Sequence, residues 1–187
     1  MWTAAFRGPR SQFWLRMTLG VGGLGAYALA AEPALRRERP RLRDVFKGLG
    51  SAAGLYAIFQ VGDRMARRVM PKGDREIASI YELRQAAPPE AIAAALALVI
   101  GPGEELFWRG LVQHGLMRRF GRLRGTLLAS SIYGGIHLVS ANLTLTGAAA
   151  TAGLFWGALY AREPRMAPLI VSHFSWDIWI FLIAPTE

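Results

Sequence analysis

Six apolar runs, at residues 13–31, 45–62, 90–117, 126–141, 145–161 and 167–184, are joined by short segments that hold most of the arginines. A helix needs about 20 residues, with a range of about 17–25, to cross a hydrocarbon core. Inside that core only a helix or a closed barrel satisfies its own backbone polar groups. The runs at 45–62 and 126–141 sit at the short end of this range. Glycine and alanine crowd several runs, as in "GVGGLGAYALAA" and "GAAATAGLFWGALYA", and small residues let membrane helices approach closely. The pattern predicts an all-α fold, a polytopic transmembrane bundle of about six helices forming a single membrane domain over 1–187. A chain that is 52% hydrophobic and 19% charged fits that class better than a water-soluble one.

The net charge of +9 invites a nucleic-acid reading, but its placement argues against one. Basic residues flank the apolar runs, as in "RRERPRLRDVFK" (36–47) and "RRFGRLR" (118–124), and no basic face with interleaved aromatics accompanies them. Anionic lipid head groups and the positive-inside bias account for such flanks, so the expected partner is the bilayer, with no nucleic acid. With the N-terminus outside, the loops at 32–47, 118–125 and 162–165 face the cytoplasm with six, four and two basic residues; the loop at 62–89 opposes them with six. The absence of cysteine excludes disulfides, a thiol nucleophile and thiolate metal ligands. The N-terminal 38 residues resemble a signal peptide in outline, but Arg16 interrupts the apolar part and an arginine cluster follows it; a retained first span is expected. The polar stretch 62–90 reads as an interfacial amphipathic piece, and Pro88–Pro89 as the start of the third helix.

Against this background, ionisable residues inside the runs stand out, because a charge at the bilayer centre costs about 2.5–3.5 kcal/mol on insertion scales and normally marks pairing or function. They are Glu104, Glu105, Arg109, His137, His173 and Asp177. Glu105 and Arg109 are four apart with the acid first, the favourable order for a helical pair. Glu104 is rotated by about 100° from Glu105 and can point elsewhere as the available carboxylate. Pro102, between Gly101 and Gly103, predicts a kink that could admit water or a substrate strand. Tyr133 and His137 are four apart on one run, and His173 and Asp177 on another, so each pair shares a helix face. If the three helices converge, Glu104 could act as general base on a water held with the histidines. Alternatively Glu104, His137 and His173 could hold a divalent metal such as zinc with an open position; spacing does not choose between these. His114, beside "MRRF", reads as interfacial, and Trp108, Trp156, Trp176 and Trp179 as packing or belt residues.

Three motifs in order carry a family resemblance. "EELFWRG" resembles the EExxxR motif of the CAAX protease and bacteriocin-processing group of intramembrane proteases, which includes the type II CAAX prenyl endopeptidases. "YGGIH" is similar to its FxxxH motif with Tyr133 in place of Phe, and "HFSWD" to its HxxxN or HxxxD motif. The resemblance covers the motif-bearing half, about residues 90–182. It implies that Glu104 activates water, that Glu105 and Arg109 support the site, and that His137 and His173 hold the water or metal and help stabilise the oxyanion, with Asp177 completing the cluster. It also implies a bundle with more spans than this chain shows, so a homodimer could supply the missing wall.

The resulting expectation is an intramembrane endopeptidase of the glutamate or metallo type, in the plasma membrane of a bacterium, acting on a peptide or protein substrate that is lipidated or not. A non-catalytic scaffold or immunity protein with a structural polar core is the alternative of a different class. A transporter or proton relay using the same groups is a third.

Overall fold

The structure, a computed structural model, describes residues 1–185; Thr186 and Glu187, at the end of the single domain expected over 1–187, lie outside the described residues. Helices run over Trp2–Arg7 (α1), Phe13–Ala31 (α2), Leu42–Val69 (α3), Gly73–Tyr81 (α4), Pro89–Phe120 (α5), Arg122–Ile136 (α6), Leu143–Arg162 (α7) and Met166–Ile183 (α8). No strand occurs among the described residues. The six apolar runs correspond to α2, α3 and α5–α8, and the fold is all-α as the pattern predicts.

Local chemistry sets the boundaries. Pro89 occupies the first turn of α5, where its missing N–H costs nothing. Gly121, at φ 81° and ψ 164°, takes a positive-φ conformation open to glycine, which ends α5 and lets α6 start at once. Asn142 caps α7 by accepting from the Leu145 N–H at 2.7 Å. Asp44 accepts from the Arg41 N–H at the start of α3 and pairs with Arg165 just before α8, tying the arginine-rich ends of these helices together.

Two of the helices, α5 and α8, are long and apolar enough to cross a membrane. Three of the others fall short for specific reasons. The 15 residues of α6 span only about 22 Å at 1.5 Å per residue, Arg16 sits within α2, and α3 ends in the polar stretch "GDRMARRV". The distribution of exposed apolar side chains is nonetheless compatible with a bundle that faces lipid. In α2 the buried positions Phe13, Met17, Val21, Gly25 and Ala28 form one stripe, while Leu15, Leu19 and Tyr27 are 60% or more exposed. Glu104, Glu105, Arg109, Gln113, His137 and His173 are all buried. Charged and polar side chains thus share the interior with an apolar core, while many large apolar side chains lie outside, a balance that suits a lipid-facing surface.

Glycines permit the closest helix contacts. A Cβ on Gly103 would lie 2.8 Å from the Val21 carbonyl oxygen, and one on Gly25 would lie 2.9 Å from the Gly103 Cα. Backbone cannot yield as a side-chain tip can, so Gly103→Ala is expected to destabilise the protein by about 1–3 kcal/mol through overpacking. Gly115→Ala, with nothing within 4 Å of the added methyl, should instead be neutral or stabilising by up to about 1 kcal/mol. Thermal unfolding in mild detergent compares the two. The "GLFWG" glycines serve contacts within the chain: Gly153 faces the Tyr133 ring and Gly157 the Ser130 hydroxyl, both on α6. That face therefore packs against α6 within the chain.

The polar stretch after α3 folds back as α4, which buries Ile77 and Tyr81. Its Glu76 carboxylate accepts from Thr144 N–H at 2.8 Å and Thr144 Oγ1 at 2.7 Å, at the N-terminus of α7, where negative charge is favoured. Asn142 Nδ2 adds a bond to the Glu76 carbonyl. The Thr144 hydroxyl and N–H together hold the Glu76 carboxyl below the usual carboxylate range. A depressed carboxyl contributes stability that is complete above its unfolded value and is lost as pH falls through the folded one. Hydrogen exchange of the α4 amides, corrected for intrinsic rate, should therefore accelerate only below the ordinary carboxylate range. Glu76→Gln should remove that acid step.

Candidate active site

The site is built on an interrupted helix. Within α5, wide π-type turns at Leu96–Ile100 and Leu106–Gln113 flank the α-helical stretch Gly101–Glu105. Pro102 has no N–H to give to the preceding turn, and the wide turn just before it accommodates that loss. Such π-bulges recur at functional sites. The opening expected at Gly101–Gly103 is not found. Both glycines are buried, Gly101 against Phe174 of α8 and Gly103 against Val21 of α2, so they serve close packing and not access.

Glu105 is the hub of one network. It is fully buried, and its Oε1 accepts from Arg109 Nη1 at 2.8 Å and from His173 Nδ1 at 2.7 Å. The Glu105–Arg109 pair is the one its spacing predicts; the histidine is an addition. On its other side His173 presents Nε2 to Asp177 Oδ2 at 3.6 Å. The Arg109 guanidinium also approaches the Ala152 and Gly153 carbonyls at 3.4 Å each and lies 4.9 Å from the Tyr133 ring centroid and 5.4 Å from that of Trp156, within cation–π range. Trp156, itself fully buried, stacks on the His173 imidazole at 3.9 Å and 24°. Its indole N–H donates to Ser172 Oγ at 3.0 Å.

Glu104 belongs to a second network. Its Oε2 accepts from the Tyr133 hydroxyl at 2.7 Å; among the described residues no cation lies within ion-pair reach of it. Four residues on from Tyr133, His137 Nδ1 lies 2.9 Å from the Tyr133 carbonyl oxygen. A carbonyl can only accept, so Nδ1 carries the hydrogen and a neutral ring keeps its lone pair on Nε2. The N-terminal helix closes this side: Phe6 meets the His137 ring edge at 6.1 Å and Trp2 meets Trp108 at 5.7 Å.

The arrangement thus brings the expected residues into one polar interior but divides them. Glu105, Arg109, His173 and Asp177 form one group, and Glu104, Tyr133 and His137 the other. Among the described residues no three His, Asp or Glu side chains are placed to hold a metal ion. Glu104, His137 and His173, divided between the two networks, are not gathered around one point as a zinc ion would need. His114 stands apart, bonded to the Tyr160 hydroxyl at 3.1 Å toward the arginine-rich end. Sequence reasoning missed Ser172 and read Trp156 only as a packing or belt residue; its stacking on His173 and its bond to Ser172 needed the fold.

The family model for type II CAAX prenyl endopeptidase Rce1-like proteins matches residues 87–179, a stretch that contains every ionisable residue of both networks. No curated protein and no solved structure matches the chain.

Proposed function

Because this chain belongs, through residues 87–179, to the Rce1-like family of type II CAAX prenyl endopeptidases, a protease family, we propose that it hydrolyses a peptide bond near the membrane surface with a water activated by Glu104. The observation that carries this assignment is the division of labour between the adjacent acids. Glu105 is neutralised by Arg109 and bonded to His173. Glu104 holds only a neutral donor, on one oxygen, which leaves its other oxygen able to take a proton.

In the reaction Glu104 Oε1 accepts a proton from water as the water oxygen bonds to the scissile carbonyl carbon. The carbonyl oxygen becomes the oxyanion. Glu104 then returns the proton to the leaving nitrogen, the oxyanion re-forms the carbonyl as the carbon–nitrogen bond breaks, and the carboxylic acid and amine so formed leave as carboxylate and ammonium once the acid's remaining proton passes to the amine. His137, with Nδ1 held by the Tyr133 carbonyl, orients its remaining nitrogen toward the reacting water. His173, with Nδ1 held by Glu105 and its ring stacked on the Trp156 indole, keeps Nε2, which lies 3.6 Å from Asp177 and beyond hydrogen-bond length, as the ring nitrogen for the oxyanion.

An apolar cavity of about 480 Å³ supports an apolar substrate segment. It is walled by Phe59 of α3, Ile77 of α4, Leu96 of α5, Ala148 of α7 and Trp176 of α8, and Asp177 of the site lines it. A prenyl group or the apolar side chains of an unlipidated peptide would both find their chemistry there. The basic flanks of the helices support residence in a bacterial cell membrane. Purified protein in liposomes, offered a fluorogenic peptide in prenylated and unprenylated forms, tests the reading. Cleavage of either supports it; proton or ion flux without cleavage would point to a relay instead.

A further inference from the structure

We propose that Tyr133 is a positioning residue for the general base: its hydroxyl holds one oxygen of Glu104 and thereby aims the other at the attacking water. The inference rests on the function proposed above for Glu104. The bond is 2.7 Å long, at the short, charge-assisted end for a hydroxyl on a carboxylate. Tyr133 is 6% exposed, and its ring is held from several directions. Trp108 meets it at 5.3 Å and 73° and His137 at 5.1 Å and 66°, and Arg109 stands over its face. On α7, Gly153 leaves the notch the ring needs, since a Cβ there would come within 2.9 Å of Tyr133 Cδ1. A glutamate side chain has several rotatable bonds, so a rigid donor on one oxygen is what fixes the direction of the other. During the reaction Tyr133 keeps its proton; only the hydrogen bond to Glu104 changes in strength.

Tyr133→Phe removes the hydroxyl and keeps the ring. With the fluorogenic peptide in liposomes, kcat at equal folded concentration should fall about tenfold to a hundredfold, with KM within about twofold; the unfolding temperature in detergent should fall modestly, because a buried Glu104 oxygen loses its donor. Difluorotyrosine at position 133 restores a hydroxyl of altered acidity. It should recover most of the rate, by an amount that depends on that acidity, which a packing role would not produce. Independently of any cleavage, the infrared difference between Tyr133→Phe and wild type should contain a carboxylate band that vanishes in a Glu104→Gln background. Unchanged kcat, or a carboxylate band that persists in that background or never appears, would overturn the proposal. If wild type cleaves no peptide, the assigned reaction fails, while the infrared comparison still decides whether Tyr133 holds Glu104.

Discussion

Glu104→Gln is expected to lower the cleavage rate by about 10²- to 10⁴-fold, the range for loss of a general base, while leaving the protein folded. Glutamine has the shape of glutamate, and its side-chain carbonyl can still accept from the Tyr133 hydroxyl that now meets Oε2. What it cannot do is take a proton from water. The expected stability follows from the surroundings. Glu104 is 5% exposed and has no cation of its own among the described residues, so removing its charge relieves a desolvation cost and breaks no ion pair. Unfolding in detergent should therefore be unchanged or slightly later. Steady-state kinetics and a melting curve on the same preparation test both halves.

Arg109→Met should do the reverse, acting first on the fold. The guanidinium is 2% exposed and pairs with a carboxylate that is fully buried. Removing one partner of a buried pair strands the other charge, at a cost of about 3–5 kcal/mol. The approaches to the Ala152 and Gly153 carbonyls and the contacts with the Tyr133 and Trp156 rings are lost as well. Arg109→Lys keeps the charge but not the planar fork or the stacking surface, and should fall between wild type and Arg109→Met. Neutralising the partner as well, in Glu105→Gln with Arg109→Met, should recover part of the loss, because the two residues act as a unit. Chemical unfolding of the four proteins measures this. A loss under about 1 kcal/mol for Arg109→Met would mean that the pair does not hold the bundle together.

The long helices were readable because each must hide its backbone polar groups and so carries a long apolar run. The short ones were not. α1 has six residues, too few for periodicity, and its place is set by distant contacts of Trp2 and Phe6. α4 read as an interfacial piece because its tie to α7, from Glu76 to Thr144, joins residues 68 apart in sequence. Within the site the same distinction holds. Glu105 with Arg109 is a local relation, fixed by helix geometry, and spacing found it. That His173 meets Glu105 and not Glu104 depends on the rotation of α5 across two wide turns and on how α8 packs against it; neither is encoded in a four-residue spacing. The Tyr133 hydroxyl was visible as one more polar group, but its aim at Glu104 needed the fold.

The central claim is that this is a peptide hydrolase whose water is activated by Glu104. Mass spectrometry of peptide products formed in isotopically labelled water tests it most directly, with purified wild type and Glu104→Gln compared side by side in liposomes. The account predicts that wild type releases two fragments, with one labelled oxygen in the new carboxylate, and that Glu104→Gln at equal folded concentration releases almost none. Equal release by the two proteins would contradict it.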